Sequence, residues 1–227
     1  MHLFERMIPN IEKVLSRYPN LFLSGLGYTL LLSLITVSFG VLLGSLIALM
    51  RRSRFRPIAF IATAYVEIIR GTPLLLQLYF FAFLLPEMLP VLDLSNFTCI
   101  CVALVLNSAG YVSEVIRAGI QAVDYGQTEA ARSLGMTARQ TMLRVVFPQA
   151  IKNILPALCN EFVTVIKETS LASTFFIGDL MTTYNTIKGA MYLVLEPLIV
   201  VGIIYFVLTF TLSKAIAVLE RRLKASD

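Results

Sequence analysis

Within eleven residues of an otherwise apolar stretch, Asn160, Glu161, Thr164, Lys167, Glu168, Thr169 and Ser170 supply amide, carboxylate, hydroxyl and ammonium groups. Asn160, Thr164, Lys167 and Ser170 recur at helical spacing and share one face, with Glu161 and Glu168 a step round it. A charge at the centre of a bilayer costs about 2.5–3.5 kcal/mol on insertion scales, so such a stripe faces protein or a water-filled path and not lipid. Lys167 and Glu168 suit ion pairs at the outer membrane surface or contact with an outside partner equally well. Asn107 and Ser108 lie on a second apolar segment, and Arg70 and Thr72 on a third. Glu67 and Arg70, at i and i+3, either neutralise each other or sit beside a polar path at Gly71-Thr72-Pro73. There Pro73 lacks an N–H and clashes with the carbonyl of Ile69, which kinks a helix. Glu114 and Arg117 repeat the i, i+3 spacing and read as a mutual pair or an inner seal.

This is chemistry for binding and passage, not for breaking bonds. No nucleophile is set beside a base, and no GxxxxGK[ST] phosphate loop occurs, so no catalytic residue is assigned and ATP hydrolysis is beyond this chain alone. The single histidine, His2, and the cysteines Cys99, Cys101 and Cys159 lack metal-ligand spacing, so no metal site is expected and the thiols read as small buried residues.

The elements that position these groups belong in a membrane. Of 227 residues, 57% are hydrophobic and 15% charged, and the mean hydropathy is +0.79, beyond the range of a soluble domain. The uncharged run Tyr18–Met50 has 33 residues, roughly 50 Å as helix against a hydrocarbon core of about 30 Å. Further spans are expected near Ile58–Leu85, Leu94–Arg117, Val145–Ile177 and Gly189–Ser213, the second and fourth of the five carrying charges. Arg51, Arg52, Arg54 and Arg56 follow the first span, whereas Pro86–Asn96 after the second holds Glu87 and Asp93 and no basic residue. Arg117, Arg132, Arg139, Arg144 and Lys152 follow the third span, and Lys214, Arg221, Arg222 and Lys224 lie in the tail. This alternation predicts an all-α integral membrane fold of five transmembrane helices, N-terminus outside and C-terminus cytoplasmic. The net charge of +5 is then an orientation signal and not a nucleic-acid footprint. Residues 1–17 mix charged and apolar residues as an interfacial amphipathic helix does, with Pro9 as the point where it can break, and not as a signal peptide does. Residues 1–227 read as a single transmembrane domain, without repeats or linkers.

Between the third and fourth spans, AVDYGQTEAARSLGMTARQTMLRVVFPQ describes two short helices joined by a glycine. Asp124 caps the first, Gly135 suits the left-handed residue past its end, and Thr137 with Gln140 forms a capping-box pattern. The first helix, about 124–135, either offers Glu129, Ala130 and Ala131 as a small-sided docking surface or merely connects two spans.

EAARSLG followed by VVFPQA resembles the EAA loop of ABC-importer permeases. YVEIIRGTPLLLQL at 65–78, NSAGYVSEVIRAGIQAVDYGQTEAARSLGM at 107–136 and PQAIKNILPALCNEFVTVIKETSL at 148–171 are similar, in order, to signature blocks of the polar amino-acid permeases, over about a third of the chain. Phe147 stands where those proteins usually have Leu. The resemblance implies a type I importer permease in the bacterial cytoplasmic (inner) membrane, with a cytoplasmic coupling helix between helices 3 and 4. It implies that Glu129, Ala130, Ala131, Ser133, Leu134 and Gly135 couple to an ATPase. It further implies two ATP-binding subunits that hold the ATP and magnesium, a second permease chain, identical or related, and an extracytoplasmic amino-acid-binding protein. An amino acid needs donors for its carboxylate and acceptors for its ammonium. Asn160, Glu161, Thr164, Asn107, Ser108, Arg70, Thr72, Lys167 and Ser170 are the expected substrate path, with Glu161 tilting the expectation toward a cationic or amide side chain. An ATP-independent transporter or channel would show similar polar spans, but would have no use for a docking loop.

Overall fold

The computed structural model describes residues 2–224, with side chains over residues 7–222. Met1, the side chains of residues 2–6 in the expected amphipathic segment, and the tail from residue 223, including the Lys224 side chain, lie outside the described side chains. The described chain is helical: α1 (His2–Arg17), α2 (Pro19–Arg51), α3 (Arg56–Gly71), α4 (Leu74–Met88), α5 (Asn96–Gln121), α6 (Tyr125–Ser133), α7 (Ala138–Thr141), α8 (Phe147–Glu168), α9 (Leu180–Met191) and α10 (Leu195–Lys224). Short 3₁₀ segments occupy Pro90–Leu92 and Thr169–Phe175, and a π-helical turn, Met142–Val146, joins α7 to α8. Among the described residues no strand is formed.

α2, α5 and α10 are each long and apolar enough to cross a membrane, and α3 with α4 can be counted as one further, broken span. The predicted second span is therefore two helices and not one kinked helix. Thr72 is extended, at φ −122° and ψ 146°, because the ring of Pro73 disfavours helical geometry in the residue before it. The predicted fifth span begins later than Gly189. α9 ends at Met191, Tyr192 adopts a left-handed φ of 55°, and a new helix starts at Leu195. α1 runs unbroken through Pro9.

The chain divides into two compact units. One comprises the described residues up to 36, with 74–104 and 163–212. Its interior holds Leu32, Leu78, Ile100, Leu104, Ala172 and Ile177 in one cluster. A second cluster contains Val14, Phe22, Leu180, Ile187, Val200 and Val201. Val14 draws α1 into that second cluster, and Asn10 donates to Glu196 on α10 at 2.9 Å.

The other unit comprises residues 37–73, 105–162 and the described residues from 213 on. Here the glycines of α2 explain how it meets α5. A Cβ on Gly40 would lie 2.7 Å from Ser108 Oγ, and one on Gly44 would lie 2.7 Å from Val112 Cβ and 2.8 Å from the Ala109 carbonyl. Small residues four apart let helix backbones approach where no hydrophobic drive exists between them. Gly44→Ala is therefore expected to destabilise the protein by about 1–3 kcal/mol, the usual cost of overpacking. Thermal unfolding of the purified protein in detergent reads this; an unchanged midpoint would mean that α5 yields freely.

Candidate functional site

Two groups of residues were expected to carry function, the first of them on α6. The Asp124 carboxylate accepts from the Gly126 N–H at 2.6 Å, which opens the helix. At its far end the Met136 N–H donates to the Ala131 carbonyl at 3.2 Å and the Gly135 N–H to the Arg132 carbonyl at 3.0 Å, with Gly135 at φ +82°. That is a Schellman closure, which requires a left-handed residue and so favours glycine. Thr137 and Gln140 then form a reciprocal capping box, the Thr137 N–H donating to Gln140 Oε1 at 2.8 Å and the Gln140 N–H to Thr137 Oγ1 at 3.3 Å. α6 lies against the α7 segment and its π-helical turn, and Gln149 Nε2 reaches Gln127 Oε1 at 3.4 Å. Of the residues expected to couple, Glu129, Ala130, Ser133 and Gly135 are exposed, Leu134 is 84% exposed, and Ala131 is only 4% exposed. The surface on offer is thus Glu129, Ala130, Ser133 and Leu134, with Ala131 turned into the protein.

The second group is polar. Asn160 is exposed and Glu161 half-buried on α8, whereas Asn107 and Ser108 are buried on α5. Ser108 lies against Gly40, its hydroxyl buried without a hydrogen-bond partner. Thr72 Oγ1 donates back to the Ile68 carbonyl at 2.8 Å. These residues and Arg70 fall in one unit, while Thr164, Lys167 and Ser170 fall in the other. Lys167 is exposed, and its carbonyl accepts from Ser170 Oγ at 2.6 Å.

Arg70 has a different partner from the one its spacing suggested. It reaches Glu114 at 3.6 Å and lies over the Tyr111 ring at 5.8 Å. Glu114 also accepts from Arg51 Nη1 at 2.9 Å and from Arg117, so three guanidiniums share one carboxylate. The Glu114–Arg117 pair was legible from the i, i+3 spacing. Arg51 and Arg70 join it from other helices, for which local sequence holds no signal.

Asp179 is not among the residues expected from sequence. It is fully buried and caps α9, accepting from the Met181 N–H at 3.0 Å, the Thr182 N–H at 3.3 Å and the Thr182 hydroxyl at 2.5 Å. Burial pushes its carboxyl above the usual carboxylate range, against the lowering effect of those donors. The Asp-x-x-Thr spacing is a capping signal, hidden at the edge of an apolar run.

Residues 40–225 match the family described as the inner membrane component of binding-protein-dependent transport systems. The chain is 43% identical to the arginine transport system permease protein ArtQ of Bacillus subtilis, over 99% of this chain and 98% of that protein. It is 40% identical to the L-cystine transport system permease protein TcyB of the same organism, over 88% of this chain and 85% of that protein. Among solved structures, an amino acid ABC transporter with histidines aligns at 48% identity and a TM-score of 0.86, over 92% of this chain and 96% of that one. The MetNI methionine ABC transporter, at 18% identity and a TM-score of 0.73, covers 89% of this chain and 96% of that one and shares the fold.

Proposed function

The chain belongs to the family of inner membrane components of binding-protein-dependent transport systems, and from that premise we propose that it is the permease subunit of an ATP-driven importer of polar amino acids. The observation that carries this reading is the full-length similarity to a permease of arginine transport, 43% identical over 99% of the chain. The chain crosses the bacterial cytoplasmic membrane five times, N-terminus outside and C-terminus inside. α2, the α3–α4 pair, α5 and α10 supply four of these spans. The fifth is α8, whose 22 residues reach about 33 Å. Its charges exclude it from a hydropathy count and suit it to a polar path.

On this topology the arginines Arg51, Arg52, Arg54 and Arg56 and the capped helix α6 share the cytoplasmic side. α6 is the coupling helix, and it docks in a groove of one of two ATP-binding subunits through Ala130 and Leu134. ATP and magnesium are bound there and not by this chain. A second permease chain completes the path, and an extracytoplasmic binding protein delivers the amino acid. Closure of the ATPase pair draws the coupling helices together and turns the path outward, and hydrolysis resets it. An ATP-independent carrier would leave this closed and capped helix without a role.

We assign the substrate path to Asn160, Glu161, Thr164, Lys167, Ser170, Asn107, Ser108, Arg70 and Thr72. Asparagine amides and the cations are donors for the substrate carboxylate, and Glu161 is the acceptor for an ammonium or a cationic side chain. The test is uptake of labelled arginine, glutamine, glutamate and cystine by the reconstituted transporter with its binding protein. Arginine or glutamine is expected to accumulate, and Glu161→Ala to lower that uptake at limiting substrate by about tenfold or more, the value of a charge-assisted hydrogen bond. Normal uptake by the variant would remove Glu161 from the path. Indifference to all four amino acids would overturn the substrate class.

A further inference from the structure

The unit that holds the Glu114 cluster also contains a cavity of about 260 Å³ at the ends of α2 and α5, lined by Arg51, Arg52, Arg117, Thr63, Ser113 and Gln121, among others. Three guanidiniums face it, and no carboxylate among the described residues lines it. Glu114 is shared by Arg51, Arg70 and Arg117, and Glu67 lies within electrostatic reach of Arg117. Counting Arg52, four arginines stand against two carboxylates, so the cavity keeps an excess of positive charge. Ser113 is fully buried in its wall, and its hydroxyl has no hydrogen-bond partner. An unpaired buried hydroxyl among guanidiniums is a donor set awaiting an anion.

A second feature indicates what carries that anion. An apolar groove of about 390 Å³ along Leu49, Leu143, Phe147 and Ile151 shares Ala48, Arg52, Ile116 and Ile120 with the cationic cavity. Leu49, Leu143 and Phe147 are 69%, 56% and 41% exposed. A cationic cavity that continues into an open apolar groove matches one amphiphile, with an anionic head and a hydrocarbon tail. Basic pockets between membrane helices at the cytoplasmic face are suited to such headgroups.

We propose that this cavity and groove hold an anionic phospholipid, with its phosphate among Arg51, Arg52, Arg117 and Ser113 and an acyl chain along Leu49, Leu143 and Phe147. The proposal requires α2 and α5 to end at a membrane surface but is independent of which solute is transported. The full chain, purified in neutral detergent with whatever subunits accompany it, is mixed with equimolar phosphatidylglycerol and phosphatidylcholine and weighed by native mass spectrometry. Phosphatidylglycerol is expected to be retained about fivefold or more over phosphatidylcholine, consistent with the value of a basic residue near an anionic surface. Arg52→Gln and Ser113→Ala should each erode that preference, and Arg54→Gln, outside the cavity, should not. Equal retention of the two lipids, or equal damage from Arg54→Gln, would overturn the site. Glycerol phosphate binding as tightly as the lipid would reduce it to a free-anion site and overturn the acyl assignment. A dimer of the chain that Leu143→Ser dissolves would make the groove a seam between copies, and would equally overturn it.

Discussion

Tryptophan at position 130 is expected to leave the chain folded and in the membrane while reducing substrate-stimulated ATP hydrolysis by the assembled transporter to its unstimulated rate. Ala130 is exposed on α6, so the indole can project from the surface, where it obstructs whatever approaches the helix backbone. Leu134→Asp should act alike, because Leu134 is a large apolar side chain 84% exposed at the end of the helix. A residue of that type exposed on a capped, closed helix suits an anchor for a partner's pocket. The neighbouring Ala131 is the informative contrast. It is 4% exposed, and Ala131→Trp overpacks the interior into which it is turned, at a cost of about 1–3 kcal/mol. That variant should lose thermal stability first and activity as a consequence. The readouts are ATPase rate with and without loaded binding protein, recovery in the membrane fraction, and melting midpoint. Full stimulation in both Ala130→Trp and Leu134→Asp would take α6 out of the coupling path.

The same helix shows what a sequence makes legible and what it withholds. Its boundaries were readable because every signal is local: Asp124 meets Gly126, Gly135 closes on Arg132, and Thr137 meets Gln140. Which of two adjacent alanines faces inward was not readable. It depends on the segment against which α6 rests, and consecutive helical positions differ by about 100°. The break at Thr72 illustrates a milder form of the same limit. Pro73 marked the place, but a kink and a full interruption share that mark, and Thr72 is held extended. α9 was missed for another reason. Hydropathy merges Ile177, Leu180 and Met181 with their neighbours, and the buried cap of Asp179 becomes evident only when its partners are seen.

Among the polar residues, the distinction between path and structure was the hardest to read. Ser108 looks like a substrate donor by type, yet in the fold it also fits against Gly40, where any larger side chain would force α2 and α5 apart. A serine suits both roles because it is small as well as polar, and sequence reports the polarity more loudly than the size. The reverse holds for Gly40 and Gly44, whose four-residue spacing is a close-approach signal that is easily passed over inside a strongly apolar run.

Removing the carboxylate of Glu114 should produce the largest stability loss in the unit that contains it. Glu114→Ala removes the carboxylate that three guanidiniums share and leaves only the more distant Glu67 near Arg117, and breaking a buried pair this way costs about 3–5 kcal/mol. The Glu114 side chain is 19% exposed and its partners Arg70 and Arg117 are 39% and 42% exposed, so screening reduces the expected loss to about 2–3 kcal/mol. The arginines should rank by contact and burial. Arg51, at 2.9 Å and 14% exposed, matters more than Arg70, at 3.6 Å and 39% exposed. Because much of the penalty is repulsion among the arginines left behind, Glu114→Ala combined with Arg51→Ala should cost less than the sum of the two single changes. Melting midpoints of the four proteins in detergent complete the cycle. Additivity would mean that the three arginines act independently, and that Glu114 does not organise the ends of α2, α3 and α5 as one electrostatic unit.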